Sequence, residues 1–137
     1  MSRYAILGTS AGLGLLACLA AAAAAEPLAL RIRNDTPAPL RCVLLLSHWY
    51  SEELGPVAPG GSVELALESD LPDGTVVRRN DRARAMPVEG LYCLTGDADA
   101  HRAPLPLDVL RKATGTRLIA CGGAGRVECA LATPSTP

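Results

Sequence analysis

The chain predicts an all-β fold: a small antiparallel β-sandwich of about seven strands, held by two disulfides. Three observations carry this. Short segments alternate apolar and polar residues, most cleanly where Val63, Leu65 and Leu67 stand against Ser62, Glu64, Ala66 and Glu68. Clusters of Pro, Gly, Asn and Asp punctuate the chain between those segments. One unbroken apolar run, Cys42 to Leu46, is too short for a transmembrane helix and reads as a central strand buried on both faces.

Residues 1–25 read as a secretory signal peptide. Arg3 gives a positive start, residues 5–19 are apolar apart from Gly, Ser and Thr, and small residues run to Ala25 before Glu26. Cleavage after Ala25 follows from that three-part pattern. A rival reading takes Leu15-Leu16-Ala17-Cys18 as a bacterial lipobox, with a lipid anchor at Cys18. The apolar stretch 19–25 would then be a poor tether, so the anchor is the runner-up.

Residues 26–132 read as a single domain. Leu28, Leu30 and Ile32 alternate with Ala29, Arg31 and Arg33 in a half-exposed first strand, and the two prolines of 34–39 make a turn. The central strand, 40–50, carries the only Trp. Pro56 and Pro59-Gly60-Gly61 break the chain before the strand at 62–68. A turn at 70–74 leads to a short strand at 75–79, and Asn80-Asp81 caps a hairpin. Its second arm, 83–88, is demoted to an edge by Pro87. A strand at 91–95 carries Cys93, and 96–106 is a loop. A short helix is expected at 107–113 behind Pro106, with Gly115 closing it. Residues 117–121 and 126–132 form a last hairpin, and 133–137 are a disordered tail.

Four cysteines follow the leader: Cys42, Cys93, Cys121 and Cys129. An even number in an exported chain reads as two disulfides, and no Cys-x-x-Cys suggests a metal cluster. A hairpin centred near Gly125 sets Cys121 opposite Cys129, leaving Cys42 for Cys93. The order Cys42, Trp49, Cys93 resembles that of immunoglobulin domains, but only as architecture. Tyr92 directly precedes Cys93, where those domains place a Tyr two residues earlier.

Without the leader's Arg3, 12 basic residues stand against 14 acidic ones, a balance of −2 that argues against a dedicated nucleic-acid or anionic-membrane binder. Twelve arginines against one lysine, with no Phe, resemble the usage of a GC-rich bacterial genome, so the periplasm or secretion is the expected destination. The sequon Asn34-Asp35-Thr36 would there be silent.

Candidate chemistry is sparse. Ser47-His48 with Glu52, Glu53 or Asp108 suggests a triad, but neighbouring strand residues face opposite ways and no Gly-x-Ser-x-Gly elbow exists. Copper would want two His, Cys and Met; His48, Cys93, His101 and Met86 occur in the wrong order. Asp97, Asp99 and His101 offer too few oxygens for calcium. Gly123-Ala124-Gly125 lacks the third glycine and the helix of a dinucleotide loop. Arg78, Arg79, Arg82 and Arg84, interrupted by Asp81, read as a solvated hairpin tip.

His48-Trp49-Tyr50 is the most informative group. Strand alternation places Trp49 with Val43 and Leu45, which predicts a core role for Trp49 and leaves His48 and Tyr50 as the binding residues at the strand's end. The function expected is a small exported binding or interaction module without catalysis, cofactor or metal, its partner a protein or other envelope ligand. The alternatives are an enzyme using His48 with a carboxylate, and a metal carrier using His48, Met86 and His101.

Overall fold

A computed structural model describes residues 25–70, 72–96, 101–111, 113–123 and 125–133. Residues 1–24 of the leader, with Cys18, the pair Asp97 and Asp99, and residues 134–137 of the expected tail lie outside these.

The described residues are all-β. In chain order the strands are β1 (Glu26–Asn34), β2 (Leu40–Leu46), β3 (Tyr50–Val57), β4 (Ser62–Ser69), β5 (Val76–Arg79), β6 (Ala85–Thr95), β7 (Ala103–Pro104), β8 (Gly115–Gly122) and β9 (Glu128–Leu131). They hydrogen-bond in the order β3-β2-β6-β5-β4-β1-β8-β9, with β7 also against β6. Every pairing is antiparallel except β1 with β8, which is parallel.

Alternation explains the long strands. Along β1, Leu28, Leu30 and Ile32 are buried while Arg31 is exposed. Along β4, Leu65 and Leu67 point inward and Glu64 and Ala66 outward. Leucine, isoleucine and valine fill the core in place of the missing Phe, with Leu28, Leu30, Ile32, Leu40, Leu44 and Ile119 all at or below 1 % exposure.

β2 is the inner strand the sequence implies, but it is deeply buried on one face only. Leu40, Cys42 and Leu44 enter the core, whereas Val43 is half-buried and Leu45 is 38 % exposed. The reason lies beside them. Val43 is flanked by Glu53 and Tyr92, and Leu45 by Ser51 and Gly90, so the outer face carries a thin, mixed surface.

Two expected strands, 83–88 and 91–95, are one continuous β6. Its first residues pair with β5 (Val77↔Pro87), and from Val88 onward it pairs with β2. The register shifts at this changeover, between Leu45 and Leu46. Pro87, which has no N–H to give, falls there, and its carbonyl accepts from the Ser47 N–H at 3.0 Å. β6 is therefore central, not an edge.

β3 was not legible because it is an edge strand, and its burial shows no alternation: only Leu54 and Val57 are buried. It accommodates Pro56 through an irregular register, with a shift between Leu40 and Cys42 and φ +109° at Gly55. A Cβ at Gly55 would lie 2.9 Å from the Leu40 carbonyl oxygen, so the position needs glycine. The expected helix is a single 3-10 turn, Leu107–Leu110, which drives Leu110 into the core.

Both disulfides are present as paired from the sequence. Cys42–Cys93 joins β2 to β6, and Cys121–Cys129 joins β8 to β9, each between residues directly opposite on neighbouring strands. The immunoglobulin bond bridges two sheets, so this is a different use of cysteine.

One polar side chain knots the ends of several strands. Asn34, fully buried, donates through Nδ2 to the carbonyls of Ala38 and Val57, both at 2.8 Å. Its Oδ1 accepts from the Thr36 N–H at 2.9 Å and the Thr36 hydroxyl at 2.7 Å. Its main chain bonds Gly60 and Gly61. The amide of the sequon is thus inaccessible in the folded protein.

Replacing Asn34 by Ala strands these buried partners and should cost roughly 2–5 kcal/mol, since each orphaned buried group costs about 1–3 kcal/mol. Chemical denaturation measures it; an unmoved midpoint would show the knot idle. For the disulfides, the separations of 51 and 8 residues set the order of their effects. Chain entropy assigns about 4 kcal/mol to the longer loop and about 2.5 kcal/mol to the shorter. Removing the Cys42–Cys93 pair by double Cys→Ala substitution should therefore lower the denaturation midpoint more than removing Cys121–Cys129.

Candidate functional site

β2 ends at Leu46, four residues short of the expected strand. Ser47, His48 and Trp49 form the turn into β3, and Leu46 pairs with Tyr50 across it. His48 and Trp49 both have positive φ, 64° and 65°. Two successive left-handed residues are the mark of a tight hairpin turn, a place where Asn-Gly is usual. Each such non-glycine residue carries strain of about 1–3 kcal/mol, and strain of this kind clusters at functional positions.

The turn overturns the expectation for Trp49. Its side chain is fully exposed, at 102 % of the reference area, instead of plugging the core. Alternation was counted through Trp49 as if the strand continued, and the chain reverses before reaching it. His48 is exposed and Tyr50 is 63 % exposed, so both expected binding residues stand at the open strand end.

Facing this turn is the β5–β6 hairpin. Its tip is held by Asn80, whose Oδ1 accepts from the N–H groups of Arg82 at 3.0 Å and Arg84 at 2.9 Å. Between the two hairpins lies an open groove of about 910 Å³, lined by His48, Tyr50, Glu52, Arg78, Arg82 and Arg84 among others. The sequence suggested His48 and Tyr50 separately from the arginines; the fold brings them to one place.

The arginines of this hairpin divide by partner. Arg78 Nε and Nη2 donate to the two carboxylate oxygens of Glu52 at 3.1 and 2.9 Å, and Nη1 donates to the Ala66 carbonyl at 2.9 Å. Half-buried Arg78 thereby ties the edge strand β3 to β4. Arg79 grips Glu68 at both oxygens, 2.6 and 2.9 Å, and its hydrogen bond holds the Glu68 carboxyl below the usual carboxylate range. Among the described residues, no carboxylate pairs with Arg82 or Arg84, and both are exposed. Arg78 and Arg79 therefore depart from a purely solvated tip. Sequence reasoning missed Glu52 in this role because its partner lies 26 positions away.

The other candidates do not assemble. Ser47 and His48 sit in a turn, the Glu52 oxygens are held by Arg78, and among the described residues no carboxylate hydrogen-bonds His48. His48 and Met86 both line the groove, but His101 does not. The sulfurs of Cys93, Cys121 and Cys129 lie within 4.8 Å of one another, yet all three are disulfide-bonded, and a metal would need the free thiolate.

Comparisons with protein-family models, with curated proteins and with solved structures find no match to this chain.

Because nothing covers its indole, Trp49→Ala should leave the thermal midpoint within about 2 °C of the parent, surface changes being worth within ~0.5 kcal/mol. Thermal unfolding followed by circular dichroism checks this. The sole Trp should also emit at the long wavelength of water-exposed indole.

Proposed function

We propose that this protein is a small exported, disulfide-stapled binding module that acts without catalysis, in the periplasm or outside the cell. The leader pattern of residues 1–25 supports export, and two disulfides fit an oxidising compartment. Among the described residues, no helix is long and apolar enough to cross a membrane.

The observation that carries the binding reading is the exposed Trp49 on its left-handed turn. The only other aromatic residues after the leader are Tyr50 and Tyr92. A chain so poor in aromatic rings places one of its three in water, next to a second that is mostly exposed. Exposed Trp and Tyr with neighbouring Arg are the residue types that anchor interfaces. His48 and Tyr50 line the groove, and the arginine hairpin contributes Arg78, Arg79, Arg82 and Arg84 to it.

The test uses Trp49 as its own reporter. Envelope material separated into protein, polysaccharide and lipid fractions is titrated against the protein while indole emission is followed. At least one fraction should shift the emission to shorter wavelength and do so saturably. The shift should be lost in Tyr50→Ala at unchanged thermal stability. No response from any fraction would defeat the reading.

A further inference from the structure

We propose that the groove between the two hairpins binds an acidic polysaccharide, its carboxylates meeting Arg82 and Arg84 and its sugar rings lying against Tyr50. This rests on the binding-module reading and gives it a ligand class.

Charge is the first argument. Four arginines line the groove against two carboxylates, Glu52 and Asp81. Glu52 is taken up by Arg78, and Arg79 is held by Glu68. Arg82 and Arg84 have no carboxylate partner among the described residues. Their main chain is fixed by Asn80, so the two cations project from a set frame. The whole chain has a net charge of −1, so attraction for an anion is local to this groove.

Shape is the second. The groove, about 910 Å³, is only partly enclosed, which leaves room for a polymer to enter and leave it. Half-buried Met86 and buried Leu46 add apolar surface to its lining. A sugar ring offers an apolar C–H face for Tyr50 and hydroxyls for the polar rim. A uronic acid adds the planar carboxylate that a guanidinium binds in a fork. An acidic peptide shares the charge but lacks the rings.

Calorimetric titration of the full chain with polygalacturonate oligosaccharides, neutral dextran oligosaccharides and polyglutamate tests this. Polygalacturonate should bind saturably and more weakly as salt rises. Affinity should fall about tenfold or more in Arg82→Glu/Arg84→Glu and in Tyr50→Ala. Dextran should not bind, and polyglutamate should bind at least tenfold more weakly. The substituted side chains are exposed; Arg82→Gln/Arg84→Gln, measured alongside, should show the same loss in smaller degree. The proposal is overturned if polygalacturonate does not bind, if polyglutamate binds as well, or if the arginine variants bind like the parent. Should any of these occur while some envelope fraction still shifts Trp49 emission in a Tyr50-dependent way, the ligand class falls and the binding module stands. With neither response, both fall.

Discussion

The Asn34 side chain is the constraint on which the architecture turns. A carboxamide offers two donors and an acceptor with two lone pairs, and here each is matched by a backbone group or hydroxyl. From the end of β1 it satisfies groups of the β1–β2 turn and the end of β3. Each is a place where backbone leaves its ladder and would otherwise be buried unpaired. Its neighbour Asp35 extends the knot by donating its N–H to the Cys121 carbonyl at 2.7 Å. A buried polar group specifies one arrangement more sharply than an apolar one, because a wrong arrangement leaves orphans. Strand ends from distant parts of the sequence are thereby held in one register.

The groove sits at the opposite kind of place, where the ladders come apart. β6 leaves β5 and takes up β2 around Pro87, and the two hairpins diverge from that changeover. A gap between sheet strands would expose the Ala66 carbonyl and the edge of β3. Arg78 covers both, with three donors used on Glu52 and Ala66. Its side chain is half-buried, and each of its three guanidinium nitrogens donates a hydrogen bond. Arg82 and Arg84, further out on the same hairpin, are left to face water. The exposed arginines and the structural link are thus neighbouring parts of one hairpin.

Most of the fold was readable from the sequence wherever burial is one-sided. β1 and β4 alternate because one face meets the core, and the β5–β6 hairpin was marked by Asn80-Asp81. The Cys121–Cys129 pairing followed from hairpin geometry, and Cys42–Cys93 followed by elimination. What failed to show has a physical cause in each case. β3 is an edge strand with two buried side chains, so no period is imposed on it. β7 is two residues paired to Tyr92 and Cys93, and such a bridge leaves no pattern. The parallel pairing of β1 with β8 joins segments more than eighty positions apart, and local signals do not report it. In the site, His48 and Tyr50 were legible from scarcity of aromatics, whereas the Arg78–Glu52 pair exists only after folding.

Trp49 was misplaced by the same reasoning that succeeded for β1, and the failure is informative. Alternation holds only while the chain stays extended, and nothing apolar or polar in Ser47-His48-Trp49 announces a reversal. A turn that needs positive φ at two positions would ordinarily recruit glycine or asparagine. Local propensity and observed conformation therefore disagree at His48 and Trp49. Such disagreements are expected where function overrides stability. The amount forgone is large: burying an indole of roughly 150–250 Å² is worth on the order of 4–6 kcal/mol. A domain with no Phe has few other ways to recover that. Leaving its single Trp in water, on a strained turn, is costly for folding alone. That cost is the physical observation from which the proposed binding role of this end of the sheet is argued.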